Sequence, residues 1–282
     1  MWLVVLWTIL VSFTASAAVS VNAKIYDIDY GQGDQGSFLL LSSGHVAWLK
    51  KSSNKSRTDV FERAKRNREV MNFTLNDSNQ LVSAKPVPQM SSPKRRLEPQ
   101  FSVLEEFYEP TIVESLEAAK TYFEESRAVG RTSQCFNRAH VWSFEWFKNH
   151  GVLSNKSWVF FTRRYIREYE YNWWFHVAPS IAVQEGDVVR EKVMDKEFSS
   201  RPLNTKEWTD IFMRDKANCP RVQKYSDYAN YPESESCFLV RSSMFFHQPF
   251  DLETYDTHGI FKANWVDEDL KQAYLETFDE EF

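Results

Sequence analysis

Ser133-Gln134-Cys135-Phe136-Asn137-Arg138-Ala139-His140 is the stretch on which the reading of this chain turns. The residues before it, Gly130-Arg131-Thr132-Ser133, are loop-forming. Those after it run as a helix to His150, where Gly151 supplies a stop. Cys135 therefore falls in the first turn of a helix. Unpaired backbone N–H groups and the positive end of the helix dipole favour a thiolate there, and the same N–H groups suit a developing oxyanion. A lone cysteine is otherwise a small inert hydrophobe, so the reading needs a proton carrier for the sulfur.

His140 is the nearest histidine, but five helical residues turn the chain by about 140°, which points it away from Cys135. His176 is better placed, in the aromatic strand-like run Trp173-Trp174-Phe175-His176-Val177-Ala178. The next strand-like run, Val188 to Met194, leads into Asp195. A hairpin around Glu185-Gly186-Asp187 would set Asp195 beside the His176 strand, where a carboxylate can accept the imidazole N–H and orient the ring. Each feature has an ordinary structural reading as well: a core histidine, a polar strand end. It is the order nucleophile, base, orienting acid that singles them out. The other two cysteines, Cys219 and Cys237, lie in a loop-like region and form the natural disulfide pair, which leaves Cys135 free.

Working outward, Phe101 to Phe282 reads as one catalytic domain (residues 101–282), with helices at Val113–Glu125, from Thr205 and at Val266–Phe278. Upstream lies a Pro-rich basic linker, residues 87–100, containing Lys94-Arg95-Arg96. Before it, residues 24–86 read as a small α+β N-terminal domain, with strands around Ser37–Leu41, His45–Leu49, Val70–Thr74 and Gln80–Ala84 and a helix over Thr58–Arg68. The linker allows a second reading, in which proteolysis there removes residues 24 to about 96 as a pro-region. Residues 1–23 resemble a signal peptide, with a short apolar stretch followed by Thr14-Ala15-Ser16-Ala17-Ala18. Cleavage fits after Ala17 or after Ala23. The expected location is secreted or periplasmic, with no stable membrane span after cleavage.

Composition narrows the function classes. Hydrophobic residues make up 43% of 282, with 10 Trp and 22 Phe, enough to bury a substantial core. A net charge of -5 argues against nucleic acid as a partner, since phosphate binding calls for a basic face. His247 and His258 have no ligand-spaced partners, so no metal is expected.

Three motifs together resemble the bacterial protein-glutaminases and their relatives: Cys135-Phe136-Asn137-Arg138-Ala139-His140, Trp174-Phe175-His176-Val177-Ala178-Pro179, and Met194-Asp195 with Pro202-Leu203-Asn204-Thr205-Lys206-Glu207-Trp208. The resemblance continues through Cys219 and Cys237 to Met244-Phe245-Phe246. It departs at Lys196, where a proline is expected. It implies an α+β fold, with a papain/transglutaminase-like catalytic domain of antiparallel sheet plus helices behind the small N-terminal domain. It further implies Cys135 as nucleophile, His176 as general base and acid, Asp195 as the orienting group, a Cys219–Cys237 bridge, and no cofactor. Trp174 is a candidate substrate contact. The implied activity is hydrolysis of the side-chain amide of protein-bound glutamine, the partner being a protein or peptide with an exposed glutamine. A transglutaminase or a cysteine peptidase would share the first covalent step. A non-catalytic secreted binding module would instead use the aromatic surface around Trp173 and Trp174.

Overall fold

The computed structural model describes residues 18–31, 36–50, 55–87, 108–129, 133–230, 235–259 and 266–279. The expected leader up to Ala17 and the linker from residue 88 onward lie outside them. The fold is α+β, built on two five-stranded sheets.

The first sheet is formed by β1 (Val19–Asp29), β2 (Phe38–Leu41), β3 (Val46–Trp48), β4 (Val70–Leu75) and β5 (Leu81–Pro86), in the order β3-β2-β1-β4-β5 with antiparallel pairing throughout. Helix α1 (Lys55–Arg66) covers it, placing Phe61 and Ala64 against Ile25, Leu39 and Phe73. The helix begins three residues before the expected start at Thr58. β1 runs into the segment assigned to the leader from sequence. Val21 and Ala23 are buried core residues on it, so cleavage after Ala17 leaves the sheet whole, whereas cleavage after Ala23 would remove half of its central strand.

The second sheet runs β10-β7-β8-β6, with β9 on the other edge of β8. Its strands are β6 (Ile112–Val113), β7 (Asn155–Phe161), β8 (Phe175–Glu185), β9 (Val188–Val193) and β10 (Cys237–Ser243). Every residue of β7 is buried, as a central strand covered on both faces requires. Around the sheet lie α2 (Leu116–Glu125), α3 (Cys135–His150), α4 (Arg163–Tyr169), α5 (Thr205–Phe212), α6 (Tyr225–Asn230), α7 (Pro249–His258) and α8 (Val266–Phe278). Helix α2 starts after the Ser115 cap, and Val113, expected at its head, lies in the strand Ile112–Val113 instead. Helix α3 ends where Gly151 takes the left-handed conformation, at φ 68°. Cys219 and Cys237 form a disulfide, which ties the loop after α5 to β10.

The two sheets share a core. Phe38, Leu40 and Val46 of the first unit are buried in one apolar cluster with Trp158, Phe160, Trp174 and Phe175 of the second. Backbone bonds cross as well: Val46 N–H donates to Asn172 O at 2.8 Å and Trp174 N–H to Gly44 O at 3.0 Å. Asp27 and Asp29 of β1 pair with Arg163 and Arg167 of α4. Burying three such apolar side chains stabilises the contact by roughly 1.5–3 kcal/mol each, before the cost of ordering. Trypsin cleavage at Lys94-Arg95-Arg96 is therefore expected to leave the two fragments together. They should co-elute on gel filtration in native buffer and separate only in denaturant. Separation in native buffer would mean that the first unit is held by its covalent tether.

Candidate active site

Helix α3, strand β8 and the turn after β9 each deliver one side chain to the same place. Cys135 opens α3 behind Gln134, whose extended backbone makes it the N-cap and whose side chain provides no capping bond. The turn before it is held from the helix: the buried Arg138 guanidinium donates to the Ser133 carbonyl and, at 3.3 Å, to its hydroxyl. His176 lies on β8 opposite Val159 of β7. Asp195 lies two residues past the end of β9, in a loop fixed by Met194 N–H to Pro179 O and Ser199 N–H to Asp195 O.

His176 Nε2 is 2.7 Å from Asp195 Oδ2, and both side chains are only 2% exposed. Cys135 lies on the other side of the imidazole, close enough to favour its charged form, and with Nε2 taken by Asp195 the ring has Nδ1 left for the sulfur. Burial alone would push the His176 pKa down. The Asp195 charge and hydrogen bond, together with Cys135, outweigh burial and raise it to about 9. The imidazolium is thus the favoured form at neutral pH. Cys135 is free of any disulfide and half-buried, and it lines a cleft together with His176, whereas Asp195 lies behind the ring, away from the cleft lining.

Sequence reasoning missed the fourth member. Trp208, fully buried on α5, donates Nε1–H to the same Asp195 oxygen at 2.8 Å. The carboxylate therefore has two N–H donors on one oxygen, which fixes the direction it presents to the imidazole. The start of α5 is held by Glu207, which accepts the Asn204 N–H at 2.9 Å, with Asn204 as the cap before the helix begins at Thr205. Rings enclose His176: Phe212 at 4.5 Å, Phe198 at 5.1 Å, Trp208 at 5.8 Å and Trp173 at 5.9 Å between centroids. They exclude water from the His176–Asp195 pair and strengthen it.

Trp174 requires correction as a substrate contact. It is fully buried and donates Nε1–H to Leu41 O at 2.7 Å, so it joins the two units of the core. Its neighbour Trp173 faces the cleft instead. His140 also lies away from the sulfur, as the helical angle requires. Its Nδ1 is 2.7 Å from Lys156 Nζ, in a buried polar cluster where Lys156 also donates to Phe246 O. Burial lowers the Lys156 pKa to about 7. Asn137 anchors the other side of the helix start, donating to Glu276 at 2.6 Å and sharing a 2.8 Å bond with His247 Nε2. These bonds pin the first two turns of α3, and so the position of Cys135. Among the described residues there is no group of three or more His, Cys, Asp or Glu arranged to hold a metal ion, and no helix long and apolar enough to cross a membrane.

A thiol at a helix start, a buried imidazole on a strand and a carboxylate behind it constitute the Cys-His-Asp arrangement of thiol amidohydrolases. The comparisons with known proteins narrow this class. Residues 120–212, a segment that contains Cys135, His176, Asp195 and Trp208, match the family model described as glutaminase. Among solved structures, the chain is similar to pro-protein-glutaminase, at 13% identity over 92% of this chain and 94% of that one, with a TM-score of 0.49. It is also similar to the protein-glutaminase from Chryseobacterium proteolyticum, at 13% identity over 52% and 90%, with a TM-score of 0.32. No curated protein matches the chain.

Proposed function

We propose that this protein hydrolyses the side-chain amide of protein-bound glutamine to glutamate and ammonia through a thioester on Cys135. The observation that carries the proposal is the hydrogen-bonded His176–Asp195 pair set beside the free thiol of Cys135 at one cleft, within a segment matched by a glutaminase family model.

The Cys135 thiolate attacks the side-chain carbonyl carbon, forming the C–S bond and sending the carbonyl electron pair to oxygen. The N–H groups in the uncapped first turn of α3 stabilise that oxyanion. On collapse, the C–N bond breaks and the imidazolium of His176 gives its proton to the departing nitrogen, which leaves as ammonia. His176, now neutral, takes a proton from water. The hydroxide attacks the thioester, the C–S bond breaks, and glutamate leaves with the thiolate restored. Asp195 holds the ring in the tautomer that both halves require. Export to a secreted or periplasmic location belongs to the same proposal; the disulfide between Cys219 and Cys237 suits an oxidising compartment.

The test is incubation of the protein with a glutamine peptide, with and without an added primary amine, read by mass. The expected product is heavier by about one dalton, with ammonia released, whether or not amine is present. An amine adduct would replace this reading with transamidation, and fragments would replace it with peptide-bond cleavage.

A further inference from the structure

Two carboxylates of the catalytic domain line the cleft beside Cys135, a space of about 960 Å³, and the reaction above uses neither. Glu276 comes from α8, which packs on α3. The helix buries Leu270, Ala273, Tyr274 and Thr277, spaced i, i+3, i+4 and i+7, and so leaves Gln272 and Glu276 exposed on another face, in the cleft lining. Glu276 Oε2 accepts the Asn137 amide at 2.6 Å, and Oε1 accepts that of Gln272 at 2.8 Å. Asn137 is two residues after Cys135, so this carboxylate stands beside the first turn of α3. Glu197 comes from the loop after β9. Before it, Lys196 is held by Glu124 O and Ser126 O; after it, the Phe198 ring packs on His176 at 5.1 Å. The Glu197 side chain has no hydrogen bond or ion pair among the described residues.

Neither charge is cancelled by the catalytic domain. The hydrogen-bond partners of Glu276 are neutral amides. Of the cations that this domain brings to the lining, Arg138 is spent on Ser133 and the His176 imidazolium on Asp195. A carboxylate without a counterion attracts cations and repels anions, and the walls of a cleft focus that field. The proposed reaction creates an anion in this place, since hydrolysis replaces a neutral amide by a carboxylate.

We infer that Glu197 and Glu276 select substrates by charge: they favour a glutamine whose neighbours in the polypeptide are lysine or arginine, disfavour one beside aspartate or glutamate, and speed the departure of the anionic product. The inference rests on the glutamine-hydrolase reading for the identity of the substrate. The preference of the cleft for cations does not, because it follows from the two side chains alone.

The preference is read first without substrate. Cys219 and Cys237 are bridged, so alkylation of the full-length protein reports Cys135 alone. Its rate is measured with iodoacetate, an anion, and with 2-bromoethylammonium, a cation, in the wild type and in Glu197→Gln/Glu276→Gln. Glutamine keeps the shape of each side chain, and its oxygen can still receive the Asn137 amide. His176 and Lys24, which also line the cleft, are common to both proteins, and a change in thiolate content scales both rates alike. The cation-to-anion rate ratio therefore isolates the two glutamates. It should fall about tenfold in the double variant at low ionic strength, and the two proteins should converge in about 1 M salt, where charges are screened beyond about 3 Å. In a second arm, kcat/KM for ammonia release is compared for peptides whose glutamine is flanked by lysine or by glutamate. The wild type should favour the lysine peptide about tenfold, mainly through KM, and the double variant should lose most of that preference. A rate ratio that changes less than about twofold overturns the inference, as do equal kcat/KM values for the two peptides in the wild type. The tenfold change in ratio without ammonia from either peptide would reject the hydrolase reading and leave the charge selection of the cleft in place.

Discussion

Replacing Cys135 by alanine is expected to abolish ammonia release from a glutamine-bearing protein, with kcat falling by about four orders of magnitude or more, while the folded structure is retained. The size of the effect follows from the role. In a nucleophile–base–acid unit, removing the nucleophile costs nearly as much as removing all three groups, because the others have nothing to act through. The structure gives the substitution little else to disturb. Cys135 is half-buried at the mouth of a cleft, its helix is fixed by Arg138, Asn137 and Lys156 rather than by the sulfur, and α3 does not depend on a side-chain cap at that position. Thermal unfolding of the variant should therefore stay within a few degrees of the wild type, since no core cavity is opened. Assayed by ammonia release, an alanine variant that keeps a tenth of wild-type activity would remove Cys135 from the chemistry. Serine at the same position should behave almost as alanine does, because a hydroxyl beside a protonated imidazole is not the ready nucleophile that a thiolate is.

The residues that could be read in advance were those joined by local chain geometry. Cys135 at a helix start and Gly151 at its end are neighbours of the features that define them. His176 and Asp195 meet because a short hairpin turn, Glu185 to Val188, folds β9 back on β8. What the sequence concealed depends on distant partners or on a choice of face. Trp173 and Trp174 are adjacent and equally aromatic, yet they lie in the bend that leads into β8, where one faces the cleft and the other the core. β1 was hidden because its small apolar residues continue the composition of the leader, and only pairing with β4, some fifty residues later, identifies them as strand. Lys156 sits in a strand buried at every position, where its tolerance rests on Phe246, ninety residues away, and on His140. Trp208 could be recognised as part of a helix start but not as a donor to Asp195, since that bond depends on how α5 docks against the end of β9.

Asp195→Asn is expected to lower kcat by about three to four orders of magnitude and to change its pH dependence in a defined direction. The carboxamide fits the space, and its oxygen can still receive both His176 and Trp208 at the position of Oδ2, so the loss is of charge rather than shape. That charge is the chief reason the His176 pKa stands at about 9 despite complete burial. Without it, burial dominates and the imidazolium gives up its proton at far lower pH, leaving ammonia without its proton donor. In the wild type, kcat should fall as pH rises through about 9; in Asp195→Asn the fall should come well below neutrality. Stability carries the same signature. His176 has a folded-state pKa above the unfolded value of about 6.5, so its pairing with Asp195 stabilises the fold fully below pH 6.5 and loses that contribution as pH rises toward about 9. Denaturation midpoints measured between pH 6 and 10 should show the wild type losing this increment over that window and the asparagine variant lacking it throughout. Parallel stability curves for the two proteins would mean that Asp195 and His176 do not exchange charge as their 2.7 Å contact requires, and the low activity of the variant would then need a cause other than the proton it was meant to hold.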